Sequence, residues 1–417
     1  MSEEIEERKV KIEDIKTIEE LYPRNEVDKK LVESYSMNLD ELPPIVLSKN
    51  MILIDGQHRL MAHALAKKKE IDAEILDITD EKEIFREAIK RNAKHGKQFT
   101  IDEKRKLAKR LLKSGNKVKE IATDLAVSRQ FVEKWTEKER EEENEERNKR
   151  ILEAYLMCGT QEQIAEKENL SGKGAISNIL EKFKNATDGK NELDPNLYDV
   201  WNFKTNDDQY GFKDFAGRIP GQIIENLLHR YTEPFDVVID PMAGSGTTLD
   251  VCKVKLRRCR AYDVEPVSEP IQKWNIAEGY PEECKGGDFI FLDPPYYKKK
   301  EGEYGKNSIS ALSRTDYLNF FKKLAVDSYN TLKTGGHLAF LMSNYIDYDN
   351  NVDSIFVYQY VNYFVDAGFT PVMEIQCPLS TEQYTGFQVN QAKILKKILV
   401  RSRSLFVFEK KKNADAK

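Results

Sequence analysis

Three short stretches place acids, glycines and aromatic rings where buried strands should end. Residues 287–297 read GDFIFLDPPYY. The four apolar residues predict a buried strand, which must stop at Pro294 and Pro295 because proline lacks a ladder donor and fixes its own φ. A carboxylate (Asp293), a rigid turn and two rings (Tyr296, Tyr297) stand at its tip. Residues 235–252, FDVVIDPMAGSGTTLDVC, predict a strand ending in Asp240 and Pro241. A turn through Ala243, Gly244, Ser245 and Gly246 follows, then a helix opening near Thr247 and Thr248. The two glycines let the backbone take positive φ and approach a ligand closely, and the first helical N–H groups point at the same place. The stretch CRAYDVEP then sets Asp263 at the tip of the next strand, placed to accept from ribose hydroxyls.

In an open parallel sheet the ligand crevice lies beyond the carboxyl ends of the strands, so Asp240, Asp263 and Asp293 are expected to converge there. Leu249 replaces the third glycine of a dinucleotide fingerprint, and no lysine stands in P-loop register. The exocyclic amine of a nucleobase is a poor nucleophile because its lone pair is delocalised into the ring. Asp293 and the carbonyl of Pro294 are suited to accept both amine hydrogens as the nitrogen turns tetrahedral and attacks a methyl sulfonium. The prolines hold those acceptors ready, and Tyr296 would stack on a base swung out of its helix. Tyr297 stays open between core packing and base contact. A plain αβ turn with solvent-facing acids accounts for any one stretch, but not comfortably for all three.

DPMAGSGTT, YDVEP and LDPPYY, in that order, resemble motifs I, II and IV of the amino-directed DNA methyltransferases, the N6-adenine and N4-cytosine group. GRIPGQIIENLLHRYT resembles motif X, which implies that Pro220 and Gln222 line the methionine end of S-adenosylmethionine. LKTGGHLAFLMSN matches the helix-turn-strand that follows the catalytic strand. The resemblance spans residues 195–412 and implies an α/β fold with a Rossmann-like, doubly wound sheet. It implies S-adenosylmethionine held by Asp240, Pro241, Ala243, Gly244, Ser245, Gly246, Thr247, Thr248 and Asp263, catalysis by Asp293, Pro294, Pro295 and Tyr296, and no metal. Aspartate at the first motif IV position goes mostly with adenine N6, serine mostly with cytosine N4. The implied activity is therefore adenine-N6 DNA methylation, with N4-cytosine and RNA base-amino methylation as alternatives. Two departures stand out. Only about thirty residues separate Asp263 from Asp293, leaving Asp288, otherwise a strand-edge solvated acid, as the candidate motif III acid. No long target-recognition insertion accompanies motif IV; the polar, basic stretch 298–314 reads as a mobile loop closing over a base or as a plain surface loop.

The elements that must position this chemistry divide into blocks: 1–98 α+β, 99–140 helical, 141–186 helical, and 195–412 strand-helix-strand. A charge-dense run, 137–150, reads as a solvated helix or linker, residues 185–196 as a linker and 410–417 as a frayed tail. ILIDGQHRLMAHAL (52–65) resembles the phosphate turn of the ParB/sulfiredoxin-like fold. That implies nucleotide phosphates at Gly56, His58 and Arg59, with a nucleoside triphosphate and magnesium as the ligand. Gln57 stands where sulfiredoxin chemistry needs a cysteine, so that chemistry is not expected. KRNAKHGKQFT, with Asn92, His95 and Gly96, fits a second ParB-like motif. A fold kept only for DNA binding or dimerisation is the alternative.

Residues 116–135 have helix-turn-helix spacing, with Ile121, Ala122, Leu125, Val132 and Trp135 as core and Val127 at the turn. Ser128, Arg129 and Gln130 would open the recognition helix. Residues 159–180 repeat the pattern, with Ile164, Ala165, Ile176 and Ile179 as core and Lys173 and Ser177 outward. An ordinary helical hairpin is the alternative for each. The implied partner is double-stranded DNA; a homodimer, a restriction-modification role and a non-enzymatic, ligand-sensing DNA-binding protein stay open.

Composition bounds these readings. A 417-residue chain is expected to hold two to four domains. A net charge of −5 excludes a polycation, so a nucleic-acid surface must be a local patch. Five cysteines without CxxC or zinc spacing suggest reduced thiols. The charged amino terminus and the absence of a long apolar run suggest a cytoplasmic protein that does not span a membrane.

Overall fold

The computed structural model describes residues 6–23, 27–94, 99–187, 193–203, 209–215, 217–298, 308–347, 354–378 and 384–412. The chain forms two compact units, 1–146 and 147–417.

The first unit carries a four-stranded sheet, β1 (Glu6–Lys11), β2 (Ile45–Ser48), β3 (Leu53–Asp55) and β4 (Glu70–Leu76), in the order β1-β4-β2-β3. Strands β2 and β4 run parallel; the other pairs are antiparallel. Its helices are α1 (Lys29–Met37), α2 (Gln57–Leu65), α3 (Glu81–Lys94), α4 (Ile101–Lys113), α5 (Val118–Asp124) and α6 (Arg129–Trp135). The apolar faces of α3 to α6 meet one side of the sheet: Val46, Ile54 and Leu76 share a core with Leu107, Leu111, Ile121, Leu125 and Val132. The helix-turn-helix is therefore packed into the sheet domain rather than hanging from it.

Helix α7 (Glu137–Leu156) begins in the charge-dense run, whose side chains are mostly exposed, and the unit boundary falls inside it. In the second unit α8 (Gln161–Lys167) and α9 (Lys173–Thr187) pack on its far end through Ile151, Ile164, Ile176 and Leu180. Leu180 is buried and Ile179 half-buried, because the period of α9 turns Leu180 to the core.

The second unit is built on seven strands: β5 (Val237–Asp240), β6 (Arg258–Asp263), β7 (Gln272–Lys273), β8 (Gly287–Leu292), β9 (Leu332–Met342), β10 (Thr370–Pro378) and β11 (Ser402–Glu409). Their order is β10-β11-β9-β8-β5-β6-β7, with β11 antiparallel to both neighbours and the rest of the central sheet parallel. The chain winds outward from β5 to β7, returns to β8 beside β5, then winds the other way. That reversal is the switch point at which such sheets bind ligands. Strand alternation sends Val238, Phe289, Phe291, Leu405 and Val407 to a face covered by α10 (Gly221–Tyr231) and α11 (Thr247–Val254). The other face, with Ile239, Ile290 and Leu292, packs on α12 (Arg314–Thr331) and α13 (Val357–Asp366). A last helix, α14 (Gly386–Ile394), lies in the connection from β10 to β11.

Candidate active site

The site is built at the carboxyl ends of β5, β6 and β8, where strand parity places Asp240, Asp263 and Asp293 in phase with one sheet face. Gly246 caps α11 at φ +82°, and its N–H bonds the Ala243 carbonyl at 2.8 Å, closing a tight turn that only a left-handed residue completes. The Gly244 N–H donates to Asp263 Oδ2 at 2.9 Å and the Ala243 N–H to the Tyr262 carbonyl at 2.8 Å, so the turn is tied to the tip of β6. Pro241, Ser245, Thr247 and Thr248 are buried, with Ser245 Oγ and Thr247 Oγ1 2.9 Å apart.

Asp240 is 3% exposed. Burial pushes its carboxyl up to about 7, against the Thr248 hydroxyl and the Met242 N–H, which favour the ionised form; the charges of Asp293 and Asp263 push the same way as burial. Asp240 thus lies in the field of both other acids. Two predicted neighbours complete this end. Pro220 is buried at the start of α10, and Gln222 Oε1 is buried with no hydrogen-bond partner. A buried carbonyl without a donor is costly, and here it marks a place where a ligand's N–H would fit.

At the end of β8 Pro294 is buried and Pro295 half-buried, with the Pro295 carbonyl accepting from the Tyr317 hydroxyl at 2.9 Å. The Tyr296 hydroxyl donates to Asp293 Oδ1 at 3.0 Å, which fixes the ring beside the carboxylate. Tyr297 is 3% exposed and lies between Tyr317 and Tyr345, with centroids 5.1 and 5.0 Å away. Of its two sequence readings, core packing is the one realised.

Sequence reasoning missed Arg403. It stands at the start of β11, which runs antiparallel and so begins at the rim where β8 and β9 end. Only 7% exposed, its guanidinium bonds the Tyr296 hydroxyl; burial works against its charge, and the Asp293 carboxylate favours the protonated form. A lone arginine in RSRS carries no local signal of this; only the antiparallel return does. Also unforeseen is the cover on the glycine turn: Phe212 N–H bonds the Ser245 carbonyl at 2.8 Å, and a Cβ at Gly244 would lie 3.0 Å from the Phe215 ring. Asn275, two residues past β7, is exposed, and its Oδ1 accepts from the Ala277 N–H at 3.1 Å.

Asp288 is a correction. It sits at the amino end of β8, accepting from the Val237 N–H at 2.6 Å and pairing with Lys333. That end of a parallel strand faces away from the crevice, so Asp288 stitches strands together. Of the stretch 298–314, residues 299–307 lie outside the described residues.

The predicted DNA-facing residues lie at the starts of α6 and α9. Ser128 caps α6, and the exposed Arg129 pairs with Glu133 at 2.8 Å; Gln130 is exposed. Lys173 lies 3.9 Å from Glu162, and Ser177 bonds Gln161 at 2.9 Å, so both lean on α8. That helical segment is anchored at the amino ends of β5 and β6, where Tyr155 packs on Phe235 and under the Arg258 guanidinium and Cys158 bonds the Cys259 carbonyl. It occupies the pole of the sheet opposite Asp293.

At the first unit's turn Gly56 takes φ +105°, and a Cβ there would meet Ile45 at 2.7 Å. Arg59 is bonded to the Pro43 and Pro44 carbonyls and pairs with Asp55 at 2.6 Å. His58 Nε2 accepts from the Asp28 N–H at 3.0 Å. Buried Asn92 bonds the Ala88 carbonyl; His95 and Gly96 lie outside the described residues. All five cysteines are free and four are buried. Among the described residues no helix is long and apolar enough to cross a membrane.

The family model for DNA methylases matches residues 39–269, more than half of the chain, taking in the glycine turn and Asp263. The chain belongs to the DNA methylase family. Around this methylase, likeness to solved structures is distant. The N-domain of a Pnob8-like ParB is 22% identical over 28% of this chain, with a TM-score of 0.24, and the chain spans about half (49%) of its length. ParB from Caulobacter crescentus, solved with the centromeric parS site, is 20% identical over 31% of this chain and 69% of its own, TM-score 0.26. TrmN from Thermus thermophilus is 16% identical over 47% of this chain and 50% of its own, TM-score 0.29. No curated protein matches the chain. The α/β architecture stands on the strand order itself.

Proposed function

We propose that the chain methylates the N6 amine of an adenine extruded from duplex DNA, using S-adenosylmethionine. The observation that carries this reading is Asp293, set by two prolines at the switch point of the sheet, one strand from the glycine turn and in the field of Asp240. Membership of the DNA methylase family supports it.

The residues present fit the cofactor. The Gly244–Gly246 turn, Asp263 and the unpartnered Gln222 carbonyl would hold it, with Pro220 beside them. When bound, the cofactor supplies a methyl carbon made electrophilic by its sulfonium. Asp293 and the Pro294 carbonyl accept the two amine hydrogens, drawing the nitrogen lone pair out of the ring. Tyr296, tethered by its hydroxyl, offers its ring for stacking, and Arg403 braces both groups from behind. After transfer the surplus proton on nitrogen passes to the Asp293 carboxylate. Asp240, which titrates at about 7, spares that carboxylate part of a second buried negative charge. Alignment and preorganised acceptors supply the acceleration.

The first unit and the helices α5–α6 and α8–α9 would recruit the enzyme to its site through Ser128, Arg129, Gln130, Lys173 and Ser177. Nucleotide binding at Gly56 is the weaker reading, because Arg59 already has three partners in the fold. Mass spectrometry of nucleosides from DNA incubated with enzyme and cofactor tests the proposal. N6-methyladenine is expected. N4-methylcytosine would move the specificity, and product in RNA alone would remove the DNA reading.

A further inference from the structure

The connection from β10 to β11 belongs to no part of the site described so far. Because β10 runs with β9 and β11 against it, the connection leaves and re-enters the sheet at the same rim as Asp293. It is a built excursion. The Tyr384 hydroxyl bonds the Val400 carbonyl at 2.7 Å, pinning its two ends together, and a reciprocal Thr385–Gln388 capping box starts α14.

Its surface is unusual in two ways. Phe387, Ile394, Leu395 and Ile398 are 71%, 71%, 53% and 84% exposed. Phe387 and Ile394 stand two turns apart on α14, Leu395 is its C-cap and Ile398 follows the left-handed turn at Lys396 (φ +53°), while Ala392 turns inward. Between Tyr384 and Arg401 the sequence holds four cations (Lys393, Lys396, Lys397, Arg401) and no acid, in a chain of net charge −5. Exposed apolar side chains interleaved with cations mark a surface for an anionic partner with an apolar interior. Duplex DNA, an anionic membrane and a second protein chain all differ in where they must sit. Only for DNA does the rim beside Asp293 matter, and Arg401 is two residues from Arg403, which faces that carboxylate.

We infer that the α14 excursion is the duplex-gripping element of the methyl-transfer site. Lys393 and Lys396 contact phosphates flanking the extruded base, and the exposed Phe387 ring enters the space the base has left. This rests on the proposed DNA reading. Phosphate contacts hold register and carry the salt dependence, and apolar wedges between base steps are a known physical means of keeping a duplex open.

The test uses the full chain and a duplex with 2-aminopurine at the target adenine. The double variant Lys393→Glu/Lys396→Glu should lower the slope of log K against log salt by about 1.8, the value for two phosphates, and Lys393→Arg/Lys396→Arg should restore it. Phe387→Ala should cut the 2-aminopurine fluorescence rise at least twofold with S-adenosylmethionine binding and thermal melting unchanged. A wild-type slope in the charge-reversed variant, or a wild-type rise in Phe387→Ala, overturns the inference. So does loss of binding to phosphatidylglycerol vesicles by the charge-reversed variant while its DNA slope holds, or a Phe387→Ala change confined to oligomeric state in sedimentation. Incorporation of tritiated methyl into DNA by the unaltered chain is read in parallel. Its failure counts against the proposed function, whereas incorporation with unaffected variants counts against the α14 assignment alone.

Discussion

Both units turn a buried strand into a helix through a glycine at positive φ, Gly56 at +105° before α2 and Gly246 at +82° before α11. Neither N-cap glycine can offer a side-chain cap, although the Gln57 N–H at the start of α2 donates to the Tyr22 hydroxyl at 3.4 Å. They differ in what becomes of the charge. Around Gly56 the guanidinium of Arg59 is closed onto Asp55 and two carbonyls; one buried acceptor, Gln57 Oε1, has no partner. Around Gly246 three acids crowd one field, the deepest is driven toward its neutral form, and Gln222 Oε1 is left unpaired. In the first turn the charge of Arg59 is satisfied as folded. The second is poised in a way that a bound molecule would relieve. The same local sequence device therefore says little about function until the partners of its charges are known.

The sharpest way to break that contrast is Asp293→Ala. Methyl transfer should fall by at least about 10²–10³-fold, as for loss of a preorganised polar group, while S-adenosylmethionine binding by calorimetry persists. Near-normal turnover would contradict the assigned chemistry. Arg403→Ala should come next. Removing a buried cation that faces Asp293 should lower unfolding free energy by about 3–5 kcal/mol in denaturant titrations; an unchanged midpoint would mean the guanidinium is dispensable.

Asp240→Asn sharpens the electrostatic half. With its carboxyl raised from 3.8 to about 7, the fold holds a proton that the unfolded chain has already released. The stability this supplies is full below about pH 4 and is lost as pH rises through 7, a swing of up to about 4 kcal/mol. Asparagine carries no such swing, so the variant should gain on the wild type between pH 4 and pH 8 in thermal melts; parallel curves would refute the shift. The smallest effect is expected at the first turn. Arg59→Ala should cost about 1–3 kcal/mol in stability and leave the methyl-transfer rate per folded molecule unchanged in initial-rate assays. A fall in kcat without destabilisation would show that the first turn is not structurally closed.

What was legible in sequence follows the range of the interactions. The glycine turn and the DPPY tip are local, each set by a strand, its end and the next few residues, and both lie where the strand patterns place them. The core of α5–α6 was readable from spacing, with Ile121, Leu125 and Val132 all at 0% exposure. Trp135 is only half-buried, since it shares its face with the exposed Phe131. Arg403 was not readable, because it reaches Asp293 from 110 residues further on across an antiparallel return. Strand β7 is two residues long and gives no periodic signal. Asp288 misled because an acid beside a buried strand looks alike at either end, and only pairing with Val237 and Lys333 distinguishes them. The anchoring of α8–α9 by Phe235 and Arg258 was equally invisible, as those residues read as ordinary strand flanks.

One consequence reaches beyond this chain. Asp240, Asp263, Asp293 and Arg403 each stand two residues from a side chain that points to the α10–α11 face: Val238, Ala261, Phe291 and Leu405. Inserting or deleting a single codon inside β5, β6, β8 or β11 would turn that residue through half a revolution and out of the chamber. Variation in length should accordingly collect between strands, and within them should come only in twos.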